Sequence, residues 1–469
     1  MVTMERLQEV TGYLGRKEKE RERKRAKMYG ILKLIAALLL FPFPVFAGST
    51  INCEDCAQAT VAAAIVTAVD GDTITIPAGS CSWTSGVVVP DNEKLTIRGA
   101  GAGSTVITAA AVTVFDPGYS GSEISGLTIK TPETGIGIRP RGTGWKVHHC
   151  AFEGTTALKK TTAILPQGGS TSVALQGVIY NCTFLNARNV VAGSAQMLAD
   201  GNSQHEAWTR TLGLGGVDAV YVEGNTFTVT DNINGNVMDS NYGGAYVFRH
   251  NTMNGASIEA HSVQGRNRAA RKWEIYNNLI GNTDNSIYYP FRIRGGTGVI
   301  FGNRLTGNWS NKKIAFDNVR SYDAVEPCGL CDGDGTWDSN EDATGYLCRD
   351  QIGSGPDAEE WEDDPAGENT QTKVPAYVWN NYYGETLMTV DVINSSGDHI
   401  QKDRDYFEAE HPTYTCYDCP HPLTGLTGKC DPNTAGRGGY NVGGQTFTIG
   451  GGSHTLTLTG GSNTLTINP

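Results

Sequence analysis

Charge is scarce in this 469-residue chain: Lys, Arg, Asp and Glu together make up 18% of it, and 37 basic residues stand against 49 acidic ones. That balance argues against a nucleic-acid partner, because binding a polyanion needs a basic surface. Long apolar runs are also missing. The longest, ILKLIAALLLFPFPVFA at 31–47, is interrupted by Pro42 and Pro44 and falls short of the roughly 20 residues of a comfortable membrane span. None of the three C-x-x-C pairs is followed by histidine, so covalent haem attachment is not indicated. No long helical periodicity lies between the repeated segments described below, which excludes helical-repeat architectures.

The 31–47 run ends in Val45-Phe46-Ala47 and is preceded by basic residues, the pattern of a secretory signal. Residues 1–47 therefore read as a signal peptide with an extended n-region. Met28 is an alternative start that would give one of ordinary length. Removal after Ala47 leaves 27 basic residues against 44 acidic, a net −17. All eleven cysteines follow this segment, as expected for a protein exported to an oxidising compartment. Nine fall into triplets: Cys53, Cys56 and Cys81; Cys328, Cys331 and Cys348; Cys416, Cys419 and Cys430. Disulfides that pin loops account for such triplets; zinc would need two triplets to meet. The odd total leaves at least one unpaired thiol.

One short phrase is written four times: VYVEGNTF from Val220, YVFRHNTM from Tyr246, WEIYNNLI from Trp273 and GVIFGNRL from Gly298. Its sixth residue is always asparagine (Asn225, Asn251, Asn278, Asn303), at intervals of 26, 27 and 25 residues. Three residues before it stand Val222, Phe248, Ile275 and Ile300; two after it stand Phe227, Met253, Ile280 and Leu305. Strand-like alternation at a fixed period of this length is the signature of a solenoid, here an all-β parallel β-helix with apolar columns inside. The asparagines would stack at a bend, each amide bonding to the next coil. WKVHHCAF from Trp145 and GVIYNCTF from Gly177 repeat the phrase with Cys150 and Cys182 in the asparagine slot, and AYVWNNYY from Ala376 repeats it with Asn381.

The chain then divides as follows. Residues 48–69 are a linker and a capping helix, with Val61, Ile65 and Ala68 on one face to plug the end of the solenoid. Residues 70–385 are the β-helix, interrupted by an acidic, cysteine-bearing excursion at 306–375. Residues 386–432, rich in aromatics and prolines, form a strap packing on the coils. Residues 433–469, with QTFTI, HTLTLT and NTLTIN between glycines, form a small β-appendage. The order of helix, DGDTITIPAG, KLTIRGAGAGSTVI and ladder coils resembles the secreted bacterial right-handed β-helix proteins of the pectate lyase superfamily. The resemblance spans roughly Ala57 to Tyr383. It implies a single-stranded right-handed parallel β-helix, and it leaves the activity open, because that superfamily includes lyases, hydrolases and binding proteins.

Two constellations point to chemistry. Outward positions of the ladder strands hold His148, Tyr180, Glu223, Arg249, Tyr276, Phe301 and Trp379, and an aromatic file of this kind suits stacking of sugar rings. Alternatively, the strap or the excursion covers it. The segments MDSNYGG, IEAHSVQGRNRAAR and FRIRGG bring Asp239, Glu259, His261, Arg266, Arg268, Arg271, Arg292 and Arg294 onto successive coils. Five arginines within 29 residues form a local positive island suited to a uronate-bearing polysaccharide, unless they pair with Asp239, Glu259 and Glu274 to stiffen the turns. In β-elimination, His261, Arg268 or Arg271 would be the base, Arg292 or Arg294 would hold the carboxylate, and Asp239 would be a calcium ligand if one is used. In hydrolysis, Asp239 and Glu259 are the local carboxylate pair. Arg249, Tyr276, Tyr180 and Trp379 complete the expected substrate contacts. Asp332, Asp334 and Asp338 alternate with small residues like an oxygen-rich calcium loop, but Gly335 is misplaced and no glutamate closes it, so a solvated loop fits as well. The expectation is a secreted monomer acting on an acidic polysaccharide by lyase or hydrolase chemistry, with no required cofactor. The alternative is a non-catalytic binding, adhesive or structural surface protein.

Overall fold

Alternation of apolar and polar residues gives each repeat one inward and one outward face, and the repeats lie side by side in parallel. Val222, Phe248, Ile275 and Ile300 are in register on successive strands, and all are fully buried. Each coil visits three faces in turn. The coil that begins at Val220 contributes Val220–Glu223 to a first sheet, Thr226–Thr228 to a second and Asn236–Ser240 to a third. In this computed structural model the described residues are 48–91, 93–118, 121–132, 134–154, 162–167, 176–186, 202–230, 236–262, 268–283, 289–318, 350–357, 371–393 and 399–426. The signal segment, the Cys328–Cys348 triplet, Asp332, Asp334, Asp338, Arg266 and the 433–469 appendage lie outside them.

Among the described residues the first sheet has 12 strands and the second 11, while the third face carries a four-stranded sheet early in the chain and a five-stranded one later. Pairing is parallel throughout the described coils. The exceptions are a turnback of Thr386–Leu387 on Tyr382–Tyr383 and a two-stranded ribbon of Ser354–Asp357 with Gln371–Lys373. The chain is a parallel β-helix. Inward columns fill its interior; Phe152, Phe184 and Phe227 stack face to face at 5.0 and 4.6 Å between ring centres. A ten-residue helix, α1 (Gln58–Thr67), buries Val61, Ala64 and Ile65 against the first coil. A disulfide between Cys56 and Cys81 ties its approach to the second sheet.

The asparagines stack as a hydrogen-bonded ladder. Asn251 donates from its backbone N to Oδ1 of Asn278 (2.9 Å), and from Nδ2 to the same oxygen and to the Val222 carbonyl at 2.9 Å. Its own Oδ1 accepts from Asn225 N at 2.9 Å. Every polar atom of a fully buried amide is thereby used, at a bend where the backbone would otherwise be unpaired. The residue before each rung sits in the left-handed region, with φ of 52–56° at Asn181, His250 and Asn277 and 65° at Gly224 and Gly302. Asn and Gly are the residues that accept that conformation most readily. Cys150 and Cys182 replace the first rungs as buried free thiols.

The ladder also measures the excursion. Asn303 donates to Asn381 Oδ1 from N (3.2 Å) and Nδ2 (2.8 Å), although 78 residues separate them. The intervening segment therefore adds no coil to the first sheet, but it leaves the solenoid later than residue 306. Ile314–Phe316 is a third-sheet strand paired with Val390–Val392.

Replacing Asn251 by Ala strands the Asn225 N–H and the Val222 carbonyl in the core. Each buried unsatisfied group costs about 1–3 kcal/mol, so urea unfolding of Asn251→Ala should show a loss of about 2–4 kcal/mol, and Asn254→Ala, on the outward face, a much smaller one.

Candidate functional site

The outward face of the first sheet, which holds the aromatic file, is covered, the alternative raised for it from the sequence. Residues 399–426 run back across it. Arg249 is fully buried and spends its guanidinium on that strap: Nε donates to Glu223 Oε2 (2.7 Å), Nη1 to Tyr276 Oη (2.9 Å) and Tyr417 O (2.8 Å), Nη2 to Asp418 O (2.7 Å). Glu223 accepts in return from His421 N at 2.8 Å, and Glu274 accepts from Tyr414 Oη at 2.5 Å. Charges taken out of water persist only when paired and fully hydrogen-bonded, and here the strap supplies the missing partners. Arg249 and Tyr276 are thus not presented to a ligand. Tyr180 is buried too, its hydroxyl donating to Thr424 O at 3.4 Å, and burial pushes its pKa up to about 12. Trp379 is half-buried at the end of the file, stacked on Phe301 at 4.3 Å.

Two arginines of the expected island, Arg268 and Arg271, are withdrawn from it. Arg268 is fully buried, with Nε and Nη2 on the two oxygens of Asp350 at 2.8 and 2.7 Å and its guanidinium over the Trp208 ring. Arg271 is buried as well, donating to the carbonyls of Arg210 and Thr211. Burial lowers its pKa to about 10, which still leaves it protonated at neutral pH. Neither reaches solvent as a base; they anchor the excursion and helix α2 (Asn202–Thr209) to the solenoid. The ribbon in the excursion supports the pair, since Gln371 Nε2 donates to Asp350 Oδ1 at 2.6 Å.

What remains together is the outward face of the later third sheet. Register places Asp239 beside Glu259 and Glu259 beside Arg292. Two residues further along each strand come Asn241, His261 and Arg294, with Ala260 and Ile293 buried between the outward positions. Arg294 Nη2 lies 2.8 Å from Glu259 Oε2 and 3.7 Å from Asp239 Oδ1. Arg292, a third exposed, donates to the fully buried Asp317 at 2.9 Å. Among the described residues, three carboxyl groups and two guanidinium groups meet here, so this face carries no basic surplus. Desolvation raises the Glu259 pKa above its ordinary value; Arg294 counteracts it and Asp239 adds to it. His261 is half-buried, with Nδ1 3.1 Å from Ser262 O. A carbonyl only accepts, so Nδ1 is the donor in this bond.

Sequence reasoning missed Asp317 and Asp350 as partners of the arginines, and the strap carbonyls as partners of Arg249. Asp350 lies 82 residues from Arg268, and no periodicity links them. Asp317 carried a signal: it follows a third-sheet strand one coil after Arg292. No cluster of three or more His, Cys, Asp or Glu able to hold a metal occurs among the described residues, and no helix among them is long and apolar enough to cross a membrane.

No family model and no curated protein matches the chain. Among solved structures it resembles a PL6 alginate lyase in complex with a trisaccharide, at 13% identity over 78% of this chain and 89% of that one, with a TM-score of 0.35. A PL6 family polysaccharide lyase from Pseudopedobacter saltans is similar at 11% identity over 86% and 97%, TM-score 0.37. A GH87 alpha-1,3-glucanase catalytic domain in complex with tetrasaccharides gives 11% identity over 78% and 68%, TM-score 0.29. Likeness at this level carries no argument about activity.

The strap contacts make stability depend on pH. Burial first, and Arg249 second, lower the His250 pKa to about 4; burial lowers that of His421 to about 4 against the pull of Glu223. Both are neutral in the fold, while in the unfolded chain they protonate near 6.5, so stability is full above that pH and is lost as pH falls from about 6.5 to about 4. Thermal unfolding followed by circular dichroism should show the midpoint falling across that window. His250→Asn, the residue found at the same left-handed position in three other coils, should make the fall smaller.

Proposed function

We propose that the outward face of the later third sheet is the working surface of a secreted, carbohydrate-active protein that cleaves an acidic, uronate-bearing polysaccharide. The observation that carries this reading is the meeting of Glu259, Asp239 and Arg294 on adjoining coils, with His261 and Arg292 on the same face. Breaking a glycosidic bond, by elimination or by hydrolysis, requires a proton for the leaving oxygen. A carboxyl group whose pKa is raised by burial suits that task, and Glu259 is so placed. In elimination, His261 Nε2 takes the proton from the carbon next to the uronate carboxylate. That electron pair becomes the new double bond, the carbon–oxygen bond breaks, and Glu259 protonates the departing oxygen. Arg292, fixed by Asp317, holds the uronate carboxylate and steadies the charge that develops on it. The step uses side chains alone and calls for no cofactor.

The carboxylate spacing supports hydrolysis as a second reading. With Arg294 Nη2 2.8 Å from one carboxylate and 3.7 Å from the other, the two oxygens lie within about 6.5 Å, a separation that admits a two-carboxylate glycosidase. Asp239 would then act as the nucleophile opposite Glu259.

Incubating the mature chain with a panel of acidic and neutral polysaccharides, with absorbance near 235 nm and reducing ends both recorded, separates the readings. Unsaturated product is expected; reducing ends alone would favour hydrolysis, and retention without turnover would contradict catalysis. Glu259→Gln should lower turnover by about 10² or more, whereas Arg268→Gln should act through stability rather than through the pH profile.

A further inference from the structure

Between the later third sheet and the first sheet the chain reverses on glycines. Gly295-Gly296 leads into the strand Thr297–Phe301, with Gly296 at φ 73°. The turn two coils earlier, Asn241-Tyr242-Gly243-Gly244, leads into Ala245–Arg249, and in it Tyr242 sits at φ 51°. Eight other non-glycine residues among those described adopt the left-handed region, and all are Asn, Asp or His. Those residue types tolerate that conformation, whereas a bulky tyrosine is strained by it.

The residue beside it breaks a second rule. Asn241 Oδ1 is buried and accepts no hydrogen bond, although buried acceptors in folded proteins are nearly always paired. The turn is nonetheless firmly held. Tyr242 N donates to Arg268 O (3.0 Å), Gly243 N to Ala269 O (2.8 Å) and Gly244 N to Asn241 O (2.9 Å). The 268–269 segment is fixed in turn, since Asp350 accepts from the Arg268 guanidinium and from Ala269 N at 3.1 Å. Strain persists where the surroundings over-determine it. Two local faults in successive residues of a well-anchored turn mark a place shaped by something other than stability.

The side chain is unspent. Tyr242 is half-buried, and its hydroxyl bonds to no described residue and is not sealed from solvent. The hydroxyls of Tyr221, Tyr246 and Tyr276 are by contrast all bonded within the fold. Its place is also significant. His261 N donates to Ser240 O at 2.7 Å, which sets His261 beside Asn241, so Tyr242 borders the face that holds Asp239, Glu259 and His261.

We propose that Tyr242 is a substrate-binding residue of this face, its ring stacking on the pyranose ring of a sugar next to the uronate held by Arg292. The inference rests on the acidic-polysaccharide reading above. A tyrosine ring offers a broad apolar surface with few torsions to freeze, which suits the C–H face of a sugar. The strained, anchored backbone fixes that ring before substrate arrives.

Initial rates of the full mature chain on polygalacturonate and on hyaluronan, with a thermal midpoint for each variant, test it. Tyr242→Gly removes the ring and relieves the left-handed strain. It should melt no lower than the unaltered chain, while KM on whichever polymer is cleaved rises about tenfold and kcat stays within about threefold. Tyr242→Phe keeps the ring and should leave KM within about twofold. Should the chain bind a polymer without cleaving it, isothermal titration reads the same contrast in Kd. An unchanged KM in Tyr242→Gly would overturn the proposal and leave the proposed function standing. So would a lowered midpoint with a fall in kcat alone, the mark of a structural role. A loss in Tyr242→Phe as large as in Tyr242→Gly would overturn ring stacking. If the unaltered chain neither cleaves nor binds either polymer, the functional reading falls and this inference with it.

Discussion

The structure depends on a single buried contact repeated coil after coil: the side-chain oxygen of one asparagine accepts both the backbone N–H and the side-chain N–H of the asparagine one coil earlier. That contact fixes the register, because a slip of one position would turn every apolar column outward and leave buried amides without partners. Fixed register is what makes a surface out of distant residues. Asp239, Glu259 and Arg292 meet only because their coils are stacked one on the next. The same contact between Asn303 and Asn381 closes the solenoid over a long excursion, so the excursion can carry Asp350 inward to Arg268 without disturbing the stack.

Two outward faces are put to different uses by the same logic of charge burial. On the first sheet, Glu223, Arg249 and Glu274 are fully enclosed, and they are tolerable there because the strap offers two carbonyls, a backbone N–H and a tyrosine hydroxyl in the right places. The face is consumed by that packing. On the third face no strap supplies partners to Arg292 and Arg139; each is held from below by a buried aspartate and remains about one-third exposed.

The architecture was legible in the sequence because it is periodic: an asparagine every two dozen residues, with apolar columns three before and two after it, leaves few alternatives to stacked coils. The columns around Val222 and Phe227 fall inside as that period requires. The site was legible only in part, for a physical reason. Periodicity tells which side of a strand a residue occupies, and so Glu259, His261, Arg292 and Arg294 could be placed on one face. It does not settle which faces a later segment will cover, so Tyr180, Arg249 and Tyr276 could be read either as bare or as lying beneath the strap, where they are found. It also gives no sign of partners that arrive from outside the coils, and Arg268 and Arg271 are neutralised or capped by such partners, Asp350 and the 210–211 carbonyls.

The central claim is that stacking places Glu259 in an outward, partly desolvated position where burial raises its pKa beside Asp239 and Arg294. Carbon-13 NMR titration of the Glu259 carboxyl in the intact chain measures this directly. The account predicts a pKa above the ordinary glutamate value of 4.5, rising further when Arg294 is replaced by Gln. A value at or below 4.5, unchanged by that replacement, would contradict it.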